Sequence, residues 1–384
     1  MNGLISRTAG TVGLLMLLAC HGPALAQTGE PVRIGALLPL TGMAAEFGRA
    51  ARPGIELRLE EAGWKAAGRP IKLIVADSAA QPAVALDQGK KLVEQDKVHL
   101  VIGPFISGPR LAVEPYFAQN RILSLTLTNH APAAKKFGWT LFMRGTFHQI
   151  PYPLGLHARE QLGLKTATTL GTDFVAGRGY TEAFVQGFKE KGGTVVQQQW
   201  PPLGTVDFGP YLVGLRDADA LVAFIGGADM FRFVKQYGEF GLKKKKMQVL
   251  LPQTSVLEDS RLPELGDVPL GFIGANDYVK QLDKSFVPVF ERRYGVKSEK
   301  THFTGYEAAS VALAALEATK GDTDPEKLRA AMLKLKLDTP FGTLSFTPSG
   351  VAVRDVYIVE VKKVGNEYAW VPIKKYPQVR EPGD

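Results

Sequence analysis

Three hydroxyl-bearing residues stand where a small anion can be bound, at the ends of apolar, strand-like runs. Ser107 follows the run 98–103 at the point where a helical stretch begins, and Thr126 and Thr128 belong to the end of the run 122–127. A helix start combines unpaired N–H groups with a positive dipole potential, which suits a carboxylate. Ser107 is equally well explained as an ordinary helix cap, and the threonines as ordinary strand-end residues. The residues alone leave both interpretations open.

Aromatic residues share these loops and the corresponding loops further along the chain. They are Phe47, Phe105, Phe147, Tyr152 and Phe174. Each can form an apolar wall of a pocket, although burial in a core is the commoner fate of an aromatic side chain. His148 lies in the segment 146–149, between two halves of the chain, and is either a ligand group or a satisfied hinge histidine. Gln253 is a neutral polar candidate in the loop 252–255.

Signatures of catalysis and of metal binding are absent from the sequence. It holds no G-x-S-x-G elbow, no P-loop and no H-E-x-x-H motif, and no two of its six histidines have helical ligand spacing. Four carboxylates occupy predicted loops, and no spacing forces two of them to pair. They are Glu46, Asp173, Asp229 and Asp277. We therefore expect a protein without metal or cofactor that is not an enzyme, with a secreted α/β enzyme as the remote alternative.

From residue 32 onward, apolar strand-like runs alternate with amphipathic helical stretches, which is typical of β-α-β units and predicts an α/β fold. The predicted strands are 32–40, 71–76, 98–103, 122–127, 166–171, 194–199, 220–225, 249–251, 271–275, 341–346 and 356–362. The predicted helices are 83–95, 111–119, 181–191, 231–240, 306–319 and one that begins near 323. Two strand-helix blocks, 32–145 and 166–277, flank the segment 146–155, whose two prolines indicate a lobe boundary.

The chain of 384 residues is long enough for two or three domains with complete hydrophobic cores. Its 45% hydrophobic and 22% charged residues are ordinary for a globular protein and exclude disorder, collagen and coiled coil. No apolar run after residue 26 approaches the roughly 20 residues that span a bilayer. The net charge of +8 is dispersed, so nucleic acid is not an expected partner. The basic run 243–246 is interpreted as a solvated turn, with docking to a membrane partner as the alternative.

The first 26 residues have the features of a secretory signal peptide, with Arg7, an apolar stretch over 9–20 and a cleavage site at 24–26. Cleavage there leaves 45 basic and 38 acidic residues, a net charge of +7, and no cysteine. The alternative is a bacterial lipobox that ends at Cys20 and leaves a lipid-anchored terminus. We expect a periplasmic protein that begins at Gln27.

Five short segments, in a fixed order, carry a family resemblance. They are IGALLPLTG at 34–42, VIGPFISG at 101–108, DFVAG at 173–177, GFKEKGG at 187–193 and FTGYEAA at 303–309. Together they resemble the leucine/isoleucine/valine-binding family, which comprises periplasmic solute receptors of ABC importers. The resemblance covers about residues 32–362, nearly the whole chain beyond the leader.

The resemblance implies a type I periplasmic binding protein fold, with two Rossmann-like lobes of mostly parallel sheets, joined by three crossovers and closing on a small ligand. The first lobe comprises 32–146 and 278–340, the second 147–277 and 341–375, and a C-terminal tail 376–384. The resemblance also implies a monomer that delivers its ligand to an ABC permease at the inner membrane. Ser107 then contacts the ligand carboxylate, and Phe47 forms an aromatic wall. Thr126 and Thr128 bind the ligand head group.

The loop 252–255 departs from the family pattern. Receptors selective for amino acids generally carry an acidic residue near this loop, facing the α-ammonium, whereas here the loop reads Pro-Gln-Thr-Ser. A buried ammonium without a partner carboxylate is costly. We therefore expect a carboxylate with an aromatic or bulky apolar tail, with a branched-chain amino acid as the alternative ligand. A sensor subunit that reports ligand occupancy to a membrane kinase or chemoreceptor is the alternative role.

Overall fold

The computed structural model describes residues 29–129, 138–227 and 229–381. The predicted signal peptide, its cleavage site and Cys20 lie outside the described residues. The helices are α1 (Ala45–Glu61), α2 (Pro82–Glu94), α3 (Ser107–Gln119), α4 (Pro151–Glu160), α5 (Val175–Glu190), α6 (Gly209–Val213), α7 (Asp229–Glu239), α8 (Leu262–Leu265), α9 (Phe286–Tyr294), α10 (Lys300–Ala318) and α11 (Pro325–Lys334). Within the described ranges no helix is both long and apolar enough to cross a bilayer.

The strands alternate with these helices over most of the chain and then follow one another at its end. They are β1 (Val32–Leu38), β2 (Lys65–Ala66), β3 (Arg69–Asp77), β4 (Leu100–Ile102), β5 (Leu123–Thr126), β6 (Thr140–Phe142), β7 (Thr166–Gly171), β8 (Thr194–Gln199), β9 (Ala220–Phe224), β10 (Gln248–Leu251), β11 (Ile273–Asn276), β12 (Leu337–Thr339), β13 (Gly342–Phe346), β14 (Ala352–Val364) and β15 (Glu367–Val379).

Strands β1 to β6 form the first sheet, in the order β2-β3-β1-β4-β5-β6. All neighbours run parallel except β2, which is antiparallel to β3. Buried residues of β1 alternate between two cores. Ile34 and Ala36 pack with α1 and α10, whereas Leu37 packs with α2 and α3. Helices on both faces explain why these strands are apolar throughout.

Strands β7 to β15 form the second sheet, in the order β12-β13-β14-β11-β10-β9-β7-β8, with β15 paired to β14. Strands β7 to β11 run parallel to one another, and β14 is antiparallel to β11, β13 and β15. Helices α4 and α5 share one core with this sheet, and α7 shares the other. Two mostly parallel sheets between helices confirm the predicted α/β fold class.

Three segments connect the sheets, and one arginine touches all of them. The segments run from β6 to α4, from β11 to α9 and along β14 itself. Arg354 of β14 donates to the carbonyl oxygen of Met143 after β6 and to Asp277 after β11, the latter at 3.1 Å. The three crossovers therefore meet at Arg354.

The last crossover lies within β14, later than the boundary before residue 341 that the family resemblance implies. Leu344 and Ala352 pack in the core of the first sheet, whereas Val356 packs in a core of the second. Strand β13 pairs with the start of β14. This hairpin extends the first lobe before the chain crosses near Arg354.

Each lobe contains a helix pair that crosses at glycines. In the first lobe, a Cβ on Gly54 of α1 would lie 1.9 Å from the carbonyl oxygen of His302, and one on Gly305 of α10 would lie 2.1 Å from that of Ala51. In the second lobe, a Cβ on Gly155 of α4 would lie 2.3 Å from the carbonyl oxygen of Phe184 in α5. Real Cβ atoms do not approach oxygen so closely, so these backbones can touch only because the residues are glycines.

Several elements differ from those that the sequence patterns predict. Helix α4 occupies 151–160, and no helix is predicted there, because the two prolines of 146–155 are interpreted as a lobe boundary. Proline is favoured in the first helical turn, so Pro151 starts a helix instead of ending an element. Residues 376–379, which the resemblance assigns to a tail, belong to β15 and pair with β14. Helix α1 and the short strand β6 are also absent from the predicted elements.

Candidate functional site

Two aromatic rings of the first lobe stack beside the carboxyl ends of its strands. Phe47 lies in the first turn of α1, and Phe105 lies in the loop between β4 and α3. Their ring centroids are 5.2 Å apart, with an interplanar angle of 12°. The guanidinium carbon of Arg144 lies 5.6 Å from the centroid of the Phe105 ring. The stack is an apolar wall with a cation over it.

Ser107 is the first residue of α3, and its hydroxyl lies 3.2 Å from the hydroxyl of Thr128. The residue at the N-cap position is Ile106, and no side chain caps this helix. The interpretation of Ser107 as an ordinary helix cap is therefore wrong, because the helix begins one residue earlier than a cap at 107 requires. Ser107 is half-buried and Thr128 is buried. The pair presents two hydroxyl groups at the start of a helix, where the backbone N–H groups are unpaired.

Thr126 holds the loop between β4 and α3 in place. Its side chain is fully buried, and its hydroxyl donates to the carbonyl oxygen of Pro104 at 2.9 Å. Ser124 makes the corresponding bond to the carbonyl oxygen of Gly103 at 2.6 Å. Strand β5 thus holds the loop that carries Phe105 and Ser107. A direct contact between Thr126 and a ligand stays a prediction.

Tyr180 of α5 is the centre of an aromatic group in the second lobe. Its ring makes a T-shaped contact with Phe147 at 5.2 Å and lies 4.7 Å from the ring of Phe224. Its hydroxyl donates to Oδ1 of Asn129 at 3.1 Å, which bridges the lobes because Asn129 follows Thr128. Burial raises the pKa of Tyr180, so the phenol keeps its proton at neutral pH.

Phe174 and Gln253 complete the second lobe's side of the site. Phe174 precedes α5, and its ring lies 6.5 Å from that of Phe224. Gln253 is buried beside the hydroxyl of Tyr180, and its Oε1 accepts from the backbone N–H of Ser255 at 3.2 Å. Its Nε2 is buried without a hydrogen-bond partner among the described residues. Gln253 is therefore a buried, neutral polar group that acts on the hydroxyl of Tyr180.

His148 lies apart from these two groups. Its ring is 4.5 Å from that of Tyr152, and its Nε2 lies 3.0 Å from Oε1 of Gln186. Burial lowers the pKa of His148, although the negative charge of Glu381 opposes the effect. His148 packs against α4 and α5 as a neutral ring, and its role in ligand binding stays a prediction.

Four buried charges form what we call the hinge cluster, which comprises Asp277, Lys300, Glu307 and Arg354. Asp277 pairs with Lys300 and with Arg354, and Glu307 pairs with Arg354 at 2.9 Å. Burial raises the pKa of Asp277, but the two cations outweigh burial and the pKa falls to about 2. Burial lowers the pKa of Lys300 to about 8 against the opposing charge of Asp277, so the amine is still charged at neutral pH. The cluster fixes the crossovers next to the site.

The structure brings most of the predicted residues into two groups, one in each lobe, which the hydrogen bond from Tyr180 to Asn129 links. Phe47, Phe105, Ser107 and Thr128 belong to the first lobe, and Phe147, Phe174 and Gln253 surround Tyr180 in the second. No three His, Cys, Asp or Glu side chains come together as a metal site within the described ranges.

Two residues of this site, Arg144 and Tyr180, escape the sequence patterns. Arg144 follows β6 at the sheet edge where ligands bind in parallel α/β folds, so recognition of β6 would have identified it. Tyr180 lies inside a helix, and no local pattern distinguishes it from a core residue.

Comparison with known proteins supports the same fold. A family model described as periplasmic binding protein matches residues 31–366. An ABC transporter substrate-binding protein from Sphaerobacter thermophilus is 30% identical, with a TM-score of 0.87 over 91% of this chain and 99% of that chain. An ABC transporter solute binding protein from Rhodopseudomonas palustris BisB5, solved with 3,4-dihydroxy benzoic acid, is 28% identical, with a TM-score of 0.84 over 92% and 99%. Leu/Ile/Val-binding protein homolog 6 of Brucella abortus is 26% identical over 97% of this chain and 98% of its own.

The family match spans both sheets and the loops that form the site. It begins before β1 and ends after β14, so it includes all three crossovers. The resemblance carried by the five sequence segments is confirmed. With this match and this fold, the chain belongs to the periplasmic binding protein family, as an ABC-type substrate-binding protein of the branched-chain amino acid receptor kind.

Proposed function

We propose that the cleft between the lobes binds a small carboxylate with an aromatic or bulky apolar tail and delivers it to an ABC permease at the inner membrane. The observation that carries this proposal is the hydroxyl pair of Ser107 and Thr128 at the start of α3, next to the stacked rings of Phe47 and Phe105. A carboxylate suits the helix start, and an apolar tail suits the rings.

The neutral loop that carries Gln253 in the second lobe favours such an acid over an amino acid. Gln253 occupies the loop where amino-acid receptors of this family generally carry an acidic residue. The hinge cluster contains the buried carboxylate of Asp277, but Lys300 and Arg354 already neutralise its charge. The relative from Rhodopseudomonas palustris, solved with 3,4-dihydroxy benzoic acid, supports an aromatic acid. The relatives named as Leu/Ile/Val-binding proteins keep a branched-chain amino acid as the alternative.

We further propose that the protein binds without catalysing a reaction. Three of the four carboxylates that a secreted enzyme would use are engaged in structural contacts, and the fourth, Glu46, lies exposed in the first turn of α1. Asp173 pairs with Arg178 at 2.7 Å, and Asp229 accepts from the backbone N–H of Gly204 at 2.9 Å. Asp277 belongs to the hinge cluster. These contacts leave none of the three poised as a general acid or base.

The family is periplasmic, and we propose that this chain is exported as a monomer that begins at Gln27, after cleavage at 24–26. The intact mass of the exported protein distinguishes this terminus from a diacylglycerol-modified Cys20. A mass that includes the lipid would show that the protein is anchored to a membrane.

Replacing Ser107 by alanine should weaken binding of benzoate and 4-hydroxybenzoate about tenfold to a hundredfold. A hydrogen bond to a charged group contributes about 1.5–3 kcal/mol, and each 1.4 kcal/mol is about tenfold in affinity. Calorimetric titration measures the affinity, and thermal melting of the ligand-free variant measures its stability.

The matched control is Ser107→Thr, which keeps the hydroxyl and should retain most of the affinity. Since no side chain caps α3, melting of ligand-free Ser107→Ala should be close to that of the wild type. An unchanged affinity together with a lowered melting temperature would make Ser107 a purely structural residue. Wild type that binds leucine more tightly than any of these acids would refute the proposed function.

A further inference from the structure

Arg144 lies at the carboxyl edge of the first sheet, between the two groups of site residues. It follows β6 by two residues, and its carbonyl oxygen accepts from Nδ2 of Asn129 at 3.1 Å. Its guanidinium lies over the ring of Phe105. The backbone of Arg144 is thus fixed to the segment that carries Thr128, and its side chain reaches the aromatic wall.

The guanidinium of Arg144 lacks the carboxylate partner that Arg110 and Arg354 have, whereas an unpartnered buried Nε is common to all three. Arg110 pairs with Glu114 at 2.8 Å, and Arg354 pairs with Glu307 at 2.9 Å. Among the described residues no carboxylate oxygen lies within 4.0 Å of a guanidinium nitrogen of Arg144. Its Nε is buried and has no hydrogen-bond partner there. Burying a cationic donor in this way is costly unless an acceptor joins it.

The charges around Arg144 favour an anion. The hinge cluster holds two acids and two bases, which pair with one another. Arg144 adds one further positive charge, close enough to act on Asp277, Lys300 and Tyr180. An anion in the cleft therefore gains electrostatic energy, and an ammonium group is repelled.

A second, neutral donor lies nearby. Nε2 of Gln253 is buried without a partner among the described residues, beside the hydroxyl of Tyr180. A guanidinium pairs with a carboxylate through two parallel N–H···O bonds, which fits an acid better than an alcohol or an amide. We infer that Arg144 is the cation that pairs with the ligand's carboxylate and sets the preference for acids, an inference that rests on the proposed function.

The test compares each acid with its neutral amide. Wild type, Arg144→Met, Arg144→Lys and Ser107→Ala are titrated calorimetrically with benzoate, 4-hydroxybenzoate and the primary amide of each. Wild type should prefer the acid. In Arg144→Met the affinity for the acid should fall about 30-fold or more, and that for the amide much less, so the acid-to-amide ratio collapses. Arg144→Lys should restore part of the ratio, and Ser107→Ala should lower both affinities and reduce the ratio less than Arg144→Met does, because its hydroxyl can hydrogen-bond an acid or an amide.

Equal losses for acid and amide in Arg144→Met, or no loss, would overturn the inference and leave Arg144 as a packing residue over Phe105. If Arg144→Met fails to fold, the affinities of the wild type for each acid and its amide still test the inference. An amide that binds as tightly as its acid would exclude a cation paired with the carboxylate. Failure of the proposed function looks different, because wild type would then bind none of the acids.

Discussion

Replacing Asp277 by asparagine is expected to destabilise the protein by about 3–5 kcal/mol, because the change leaves two buried cations without their shared partner. The side chain of Asp277 is 1% exposed, and it pairs with both Lys300 and Arg354. Arg354 also contacts Met143, so the loss of Asp277 affects all three crossovers. Urea denaturation at neutral pH measures the effect.

The pH dependence of this contribution follows from the pKa of Asp277. Burial raises that pKa, but Lys300 and Arg354 outweigh it and lower it from the ordinary 3.8 to about 2. A carboxyl with a lowered pKa stabilises the folded state above its unfolded pKa, and the stabilisation is lost as the pH falls through the folded pKa. Wild type should therefore lose this contribution between about pH 4 and pH 2. The Asp277→Asn variant should lack that part of the pH dependence.

The control is Asp217→Asn, which removes an exposed ion pair. The side chain of Asp217 is 94% exposed and lies 3.3 Å from Lys245. Exposed pairs contribute about 0–1 kcal/mol, so this variant should unfold close to wild type. Similar losses in both variants would mean that burial and the two cations give Asp277 no special role.

Replacing Gly54 by alanine should destabilise the protein by about 1–3 kcal/mol or more, although the same change in an exposed helix normally stabilises by about 0.5–1 kcal/mol. The new Cβ would lie 1.9 Å from the carbonyl oxygen of His302, so α1 must move away from α10. Both helices belong to the core of the first lobe, and α1 carries Phe47 at its start.

Gly108→Ala in α3 provides the comparison for Gly54→Ala. A Cβ there would meet only Cγ of Pro82, at 3.5 Å, which is ordinary contact. Thermal melting of the ligand-free proteins should show a clear loss for Gly54→Ala and little or none for Gly108→Ala. A Gly54 variant as stable as wild type would mean that the close crossing of α1 and α10 is not required.

Continuous apolar runs made most strands predictable from the sequence. Strand β9, an unbroken apolar run at 220–224, agrees with the predicted 220–225 to within one residue. Helix α1 was not predictable from its pattern, because Gly48, Pro53 and Gly54 interrupt its apolar periodicity. The two glycines are explained by packing, since a Cβ on Gly48 would lie 2.1 Å from the carbonyl oxygen of Pro39 and one on Gly54 would lie 1.9 Å from that of His302.

The site was predictable where its residues directly follow the carboxyl ends of parallel strands, because ligands bind at that edge of the sheet. Ser107 and Thr128 follow neighbouring strands, and the structure places their hydroxyls 3.2 Å apart. Arg144 and Tyr180 depend on tertiary structure instead. Arg144 follows a strand of only three residues. Tyr180 is one of several buried residues inside α5, and only the folded structure shows which of them belongs to the site.

One native mass spectrum tests the central claim most directly. Ligand-free protein is incubated with equal concentrations of benzoate, 4-hydroxybenzoate, octanoate, leucine, isoleucine and valine, and the masses of the bound molecules are read from the complex. We expect one of the three acids to occupy the protein, because Ser107 and Thr128 offer donors to a carboxylate while Gln253 is neutral and offers no negative charge to an ammonium. A complex with a branched-chain amino acid, or no complex with any of the acids, would contradict the account.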